Sequence, residues 1–310
     1  MLRPVKEKMH ALNRLTYRSE LLALIRFLHL TSILRKCYYR WAVSRGELLR
    51  TNLDGIDVEF FACTPAELRG VEGALVAEQD FLGVLISTLR PGDTFLDIGS
   101  RIGLFAIPLA RVVGEQGQVI AFEPEARAYQ RLLAHLELNG LSNVRVFRQA
   151  LGDDNATGRL FVGGEACPSL LAHSGDAEQQ TVSEDVEVVR GDWLRENENL
   201  PVPRAVKIDV EGYEYAVLRG LQRTLAQPAC ELLCVEIHPS FLPSPVTVET
   251  ILQFVKNCGF TRLDLPPRWP QIHMVAHKSV AAQAAAQARA LTSSARSPTL
   301  GGSYELGGRG

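Results

Sequence analysis

Short apolar runs, each closed by glycine, proline or an acid, recur through the middle of this chain and alternate with stretches of helical spacing. Thr94, Phe95, Leu96 and Ile98 follow the turn pair Pro91-Gly92 and predict a buried strand. Ile102, Leu104, Phe105, Ile107, Leu109 and Ala110 then fall on one side of a helix. Further strands are predicted at Gln118–Phe122, 144–148, Ala205–Ile208 and Leu232–Ile237. Helices are predicted over 127–139, which stops at Asn139-Gly140, from 214 through Leu221, and over 248–258. Strands that alternate with helices imply a mostly parallel sheet covered on both faces. The last two runs, 261–264 and 272–276, flank a proline-rich turn at 266–270 and predict an antiparallel pair closing the sheet. Arg159 to Val162 and Val186 to Val189 read as short strands around a polar stretch, a small β insertion expected to shape the substrate site. With the strand around Val58 and Phe60, a helix over 66–89 is expected to cover the pocket at the strand ends.

The flanks differ in character. Residues 1–50 carry eleven Lys/Arg against three Glu, so the rest of the chain, at an overall formal charge of −2, is left near −10. That balance gives the domain no drive toward nucleic acid. The apolar stretch 21–34 is interrupted by Arg26 and His29 and is shorter than the roughly 20 residues a membrane-spanning helix needs. Arg26, His29, Ser32 and Lys36 share one helical side. Such a helix either packs on the domain or lies on an anionic membrane surface, helped by Arg35, Lys36 and Arg40. Equal sedimentation with liposomes by the full chain and by a 1–50 deletion would end the second reading. Past residue 278 the Ala/Gln and Gly/Ser runs predict a disordered tail. The expected organisation is a basic amphipathic segment at 1–50, a catalytic domain at 51–278 and a low-complexity tail at 279–310. Hydrophobic content of 46% and charged content of 22% are globular values. Six cysteines without Cys-x-x-Cys spacing point to reduced thiols rather than a zinc site or a disulfide framework. The expected location is the cytoplasm, or the inner face of a membrane if residues 1–50 bind it.

The candidate chemistry clusters where predicted strands end. Asp97, Gly99 and Gly103 close the first strand of the parallel set. A dinucleotide site asks for Gly-x-Gly-x-x-Gly. Here the glycines are four apart and an acid precedes them, which suits a ligand with an amine and no phosphate, such as S-adenosylmethionine. Glu123-Pro124 ends the second strand, about 20 residues on, where ribose hydroxyls fall in such folds. Gln149 and Ala150 follow the third strand, and the Gln149 amide could accept from an adenine 6-amino group. Asp209 and Glu211 end the fourth strand, and Glu236 and His238 the fifth. Alternation puts Glu236 and His238 on one face, so Asp209, Glu236 and His238 are expected to converge over the ligand. His238 or Asp209 is the candidate base for a hydroxyl nucleophile. The alternative makes Asp209 and Glu236 oxygen ligands for Mg²⁺.

Five of these pieces together resemble the FkbM-type methyltransferases. They are Asp97-Ile-Gly-Ser-Arg-Ile-Gly103, Phe122-Glu-Pro124, Ala150-Leu-Gly-Asp153, Lys207-Ile-Asp-Val-Glu-Gly-Tyr-Glu214 and Glu236-Ile-His-Pro239, in that order over residues 90–240. The resemblance implies a Rossmann-like class I methyltransferase fold, with a mostly parallel seven-stranded sheet and an antiparallel C-terminal strand. It implies S-adenosylmethionine as cofactor and methylation of a hydroxyl on a sugar, glycan or other small molecule. Carried across, Asp97, Gly99, Ser100 and Gly103 would hold the methionine end and Glu123 the ribose, while Asp209 and Glu211 would face the reaction. Arg101 departs from the family's usual small residue or Asn, and Arg tolerates positive φ less readily. Two other classes stay open: a non-catalytic module that keeps the fold, and an NAD-dependent oxidoreductase. Calorimetry with the two cofactors separates the last from the rest.

Overall fold

A computed structural model of the chain describes residues 48–53, 55–61, 71, 74, 78–162, 182–266 and 270–278. The basic helix expected within 1–50, most of the helix expected over 66–89, the polar loop 163–181 and the tail after 278 lie outside the described residues. The chain divides into two units, Met1–Gln79 and Asp80–Gly310.

In the first unit, β1 (Leu48–Leu53) and β2 (Ile56–Phe61) pair antiparallel, with Leu53 opposite Ile56 across a tight turn. The turn is held by Asn52, whose side chain accepts from the Gly55 amide at 2.8 Å.

The second unit opens within α1 (Gln79–Thr88), whose described start is later than the sequence suggests. Then come β3 (Thr94–Ile98), α2 (Ala106–Val113), β4 (Gln118–Phe122), α3 (Ala126–Leu138) and β5 (Val144–Phe147). The insertion follows as β6 (Ala150–Gly152), β7 (Ala156–Val162) and β8 (Val182–Arg190). After α4 (Gly191–Asn197) come β9 (Ala205–Ile208), α5 (Glu214–Gly220), α6 (Gln222–Ala226), β10 (Leu232–Ile237), α7 (Val248–Asn257), β11 (Arg262–Asp264) and β12 (Ile272–His277).

The main sheet has the order β11-β12-β10-β9-β3-β4-β5. From β5 to β10 neighbouring strands are parallel, and β12 is antiparallel to both β10 and β11. This is the expected α/β sheet with its antiparallel end. All six residues of β10 and all four of β9 are buried, as a sheet covered on both faces requires. One face carries a core built from Leu96, Ile98, Ile120, Phe122, Val206, Ile208, Leu233 and Val235, packed against Val217, Leu218, Ile251 and Val255 of the helices.

The insertion is a separate three-stranded sheet, β6-β8-β7, larger than the two short strands expected. Ala150 pairs with Val188 in parallel, so β6 ties this sheet to the end of β5. The chain runs β3, β4, β5 in one direction and then returns to place β9 on the other side of β3. That reversal is a topological switch point, where ligands of open α/β sheets bind beyond the strand ends. Among the described residues no helix is long and apolar enough to cross a membrane.

Candidate active site

Strand register sets the floor of the site. Ile98 lies level with Phe122 on β4 and with Ile208 on β9. The next residue of each strand is therefore Gly99, Glu123 and Asp209, side by side above the central strands. The amide of Asp209 donates to Ile98 O at 3.1 Å, and those of Gly99 and Ser100 both donate to Phe122 O, at 3.1 and 3.0 Å. Gly99 has φ +78, and a Cβ built there would lie 1.9 Å from Asp209 O. Only glycine lets the loop and the end of β9 approach this closely.

These residues border a cleft of about 580 Å³ of empty space, including its open mouth. Gly99, Arg101, Glu123 and Pro124 line it on the side of the first two strands, Gln149, Ala150, Leu151 and Leu160 at the insertion, and Asp209, Val210, Glu211 and Tyr213 at β9. The described part of α1 supplies none of the lining, and the rest of the helix expected to cover the pocket lies outside the described residues.

Glu123 is 4% exposed. Its Oε2 accepts from the Arg101 amide at 2.7 Å and its Oε1 from the Glu125 amide at 2.9 Å. Arg101 itself takes φ +48, so the unusual residue does adopt the left-handed turn. Burial pushes the Glu123 carboxyl up to about 7 against the pull of those amides and of the Arg101 charge. Glu123 does not cap α3; Glu125 does, accepting from the Arg127 and Ala128 amides at 3.0 and 2.7 Å. Each Glu123 oxygen keeps a second lone pair for a ligand hydroxyl.

Asp97 stands elsewhere than expected. It is fully buried inside β3 and does not line the cleft. Its neighbour across the strand pair is Lys207, 2% exposed. The Lys207 ammonium donates to Gly99 O at 3.0 Å and to Asp209 Oδ2 at 3.4 Å, and lies 3.8 Å from Asp97 Oδ1. Burial raises the Asp97 pKa, and the Lys207 charge opposes that. Ser100 is also enclosed, its hydroxyl donating to Asp97 O at 2.8 Å, and Gly103 does not reach the lining. Of the glycine loop, only Gly99 and Arg101 face the cleft.

At the β9 rim, Glu211 takes φ +54, a conformation unusual for a residue with a long side chain. Its Oε2 is 3.2 Å from His238 Nε2. The other ring nitrogen, Nδ1, is 2.8 Å from Oε1 of Glu214, which is fully buried and also accepts from the Gly212 amide at 2.8 Å. Burial alone would lower the His238 pKa. The hydrogen bond to Glu214 and the charges of Glu211, Glu214 and Asp209 outweigh it and raise the pKa to about 9. His238 is thus an imidazolium near neutral pH, with a carboxylate beside each ring nitrogen. One potential ligand atom from each of Asp209, Glu211 and His238 falls within 4.8 Å of the others. Glu236 is not part of that group. Its Oε1 is 3.5 Å from His273 Nε2 and 4.0 Å from His238 Nε2, and it is absent from the cleft lining. Of the alternative Asp209–Glu236 ligand pair, only Asp209 belongs to that group.

The sequence reading passed over Lys207 and Glu214. A lysine interrupting Ala205-Val206-Lys207-Ile208 was the available signal for the first, since a charge in a buried strand must be paired. The spacing of Glu211 and Glu214 around a glycine was the signal for the second.

Residues 97–262, just over half of the chain, match the sequence model of the methyltransferase FkbM domain. Over 174 residues the chain is 31% identical to a hexuronic acid methyltransferase of Haloferax volcanii, covering 56% of this chain and 67% of that protein. It is 30% identical over 149 residues to Methyltransferase 1 of Beauveria bassiana, covering 42% and 59% respectively. A 23S rRNA (uracil(1939)-C(5))-methyltransferase of Acinetobacter baumannii is 31% identical over 102 residues, 33% of this chain and 22% of that protein. Among solved structures, an rRNA methylase of Streptococcus thermophilus overlays with a TM-score of 0.41 at 12% identity, over 65% of this chain and 96% of that one. That last likeness is too remote to bear on function.

Proposed function

The chain belongs to the FkbM-domain family of S-adenosylmethionine-dependent methyltransferases, and from that premise we propose that it methylates a hydroxyl of a sugar, a glycan or another small polar molecule. The observation that carries this reading is the single cleft shared by Glu123, Gln149, Asp209 and Glu211 over the switch point. Its residues fit the cofactor. Glu123 keeps acceptor sites for two ribose hydroxyls, the walls at Phe122, Leu151 and Leu160 are apolar, and the β9 rim is anionic where a sulfonium would lie. A hexuronic acid acceptor is suggested by the Haloferax volcanii relative. The ribosomal RNA methyltransferase match spans too little of either chain to suggest RNA.

Bound S-adenosylmethionine supplies an electrophilic methyl group. The protein's task is to hold an acceptor oxygen in line with that carbon, at about 3–3.5 Å, and to take the hydroxyl proton as the bond forms. His238 already carries its proton and cannot serve as the base from that state. Asp209 can: it lines the cleft, and its 3.4 Å contact with Lys207 holds the carboxylate in place. Glu211 is steadied by His238, which in turn is steadied by Glu214. A second reading places Mg²⁺ on Asp209, Glu211 and His238, where it would displace the imidazolium proton and acidify the acceptor hydroxyl.

The test is incubation with isotopically labelled S-adenosylmethionine and a panel of sugars, uronic acids and glycans, read by mass spectrometry with and without EDTA. Label on a sugar hydroxyl is the expected result. Label only on nitrogen or carbon overturns the O-methyl assignment. Cofactor binding without transfer to any member of a broad panel favours the non-catalytic reading. Turnover indifferent to EDTA excludes the metal.

A further inference from the structure

We propose that Glu187, on the insertion sheet, fixes the direction of the Gln149 amide and so makes the cleft selective for a 6-amino purine over a 6-oxo purine. The inference rests on S-adenosylmethionine occupying the cleft. Gln149 Nε2 donates to Glu187 Oε2 at 2.8 Å. An ionised carboxylate only accepts, so it holds the NH₂ end of the amide and turns the carbonyl end away. That carbonyl oxygen, Oε1, is buried and has no hydrogen-bond partner within the protein. Gln149 also lines the cleft. A buried acceptor left unmet costs stability, and a ligand donor placed against it recovers the loss.

Position identifies that donor. Gln149 lies just past the end of β5, and Glu123 just past β4, its neighbour in the sheet. Adjacent strands run about 4.8 Å apart. A nucleoside with its ribose at Glu123 therefore extends its base toward Gln149, between the apolar side chains of Phe122, Leu151 and Leu160. The edge of adenine offers an N–H donor at position 6. Hypoxanthine offers an oxygen there, which would face the Gln149 oxygen acceptor to acceptor.

A glutamine by itself does not discriminate, because its amide can turn and offer NH₂ to a 6-oxo group. The discrimination comes from Glu187, which reaches the cleft only through Gln149 and is a positioning residue. It extends from β8 opposite Thr157 of β7, beside the Ala150–Val188 pair that anchors the insertion to the main domain. The insertion sheet therefore acts on the cofactor base as well as forming a wall.

The experiment is calorimetry of the full chain with S-adenosylhomocysteine and with S-inosylhomocysteine, its 6-oxo counterpart. The wild-type protein should prefer the adenosyl ligand by about tenfold or more. Glu187→Ala should cut that preference at least about fivefold, chiefly by improving inosyl binding as the freed amide turns. Glu187→Gln, which keeps size but not the acceptor-only character, should move the ratio in the same direction. Glu187 is solvent-exposed, and far-UV circular dichroism confirms that each variant is folded. A general loss of structure would weaken both ligands together and leave the ratio alone. Equal binding of the two ligands by the wild type, or an unchanged ratio in both variants, overturns the inference. Failure of the wild type to bind either ligand overturns the cofactor reading beneath it.

Discussion

Gly99→Ala tests whether the close approach of the glycine loop to β9 holds the cleft together. Its Cβ would sit 1.9 Å from Asp209 O and 3.0 Å from Asp209 C. A carbon meets a carbonyl oxygen comfortably at about 3.3 Å, so the two segments must part by roughly 1.4 Å. The obstacle is backbone and cannot turn aside as a side chain would. The parting pulls on the bond from the Asp209 amide to Ile98 O, now 3.1 Å. The left-handed φ adds about 1 kcal/mol for alanine, the overpacking about 1–3 and the weakened ladder bond up to about 1. The total is about 2–5 kcal/mol. Gly92→Ala is the matched control: its φ is +90, but nothing lies within 4 Å of a Cβ there. It should cost only the conformational part, about 1 kcal/mol. Urea unfolding followed by far-UV circular dichroism measures both, and calorimetry with S-adenosylhomocysteine reads the cleft. Gly99→Ala should be the less stable variant by about 1 kcal/mol or more and should lose cofactor binding, while Gly92→Ala binds normally. If the two variants unfold within about 0.5 kcal/mol of each other, the contact at Asp209 is not the constraint described here.

Two further outcomes follow from buried charge. Lys207→Met removes the counter-charge of fully buried Asp97 and the bond to Gly99 O, and should destabilise by about 3–5 kcal/mol. Adding Asp97→Asn should recover at least about 1 kcal/mol, and strict additivity in urea unfolding would argue against the pair. Glu123 titrates near 7 because it is buried, with Arg101 and Glu125 as its charged neighbours. An acid raised in the fold favours its neutral form there, so its contribution to stability is present below 4.5 and is lost as pH rises to about 7. Cofactor binding runs the other way, since the ionised carboxylate accepts from both ribose hydroxyls. S-adenosylhomocysteine affinity should rise by up to about tenfold from pH 6 to pH 8. The same slope in Glu123→Gln would refute this.

The main sheet was legible because each of its strands is a compact apolar run with turn chemistry at its ends. Thr94–Ile98, Gln118–Phe122 and Ala205–Ile208 have the bounds that periodicity suggests. The insertion was less so. β6 is only Ala150–Gly152, and its pairing with Val188 to Arg190 spans a long stretch of sequence that local patterns do not bridge. Helix starts also drifted: Ile102 to Phe105 have helical spacing, yet they form turns and α2 begins at Ala106. The loop needs that segment to bring the Arg101 amide to Glu123.

The site residues divide by their place relative to the strand ends, and sequence alone does not fix that level to within one residue. Gly99, Glu123 and Asp209 each follow the last paired residue of their strand and open onto the cleft. Asp97, Lys207 and Glu236 each precede the end of theirs, where both faces of the sheet are covered. An acid inside a covered strand lies off the cleft lining, with its nearest opposite charge within the protein. Asp97 meets Lys207 and Glu236 meets His273. Asp97 therefore acts at one remove: it lies 3.8 Å from the Lys207 ammonium, and Lys207 grips Gly99 O and Asp209 together. The same reasoning separates His238 from Glu236, two residues apart on one strand edge. His238 lies past the last residue of β10, within reach of Glu211, while Glu236 stays within the sheet. The acids that border the cleft are those that a one-residue error in strand length would have hidden. Lys207 beside Asp209 and Glu214 beside His238 complete the rim from within the fold.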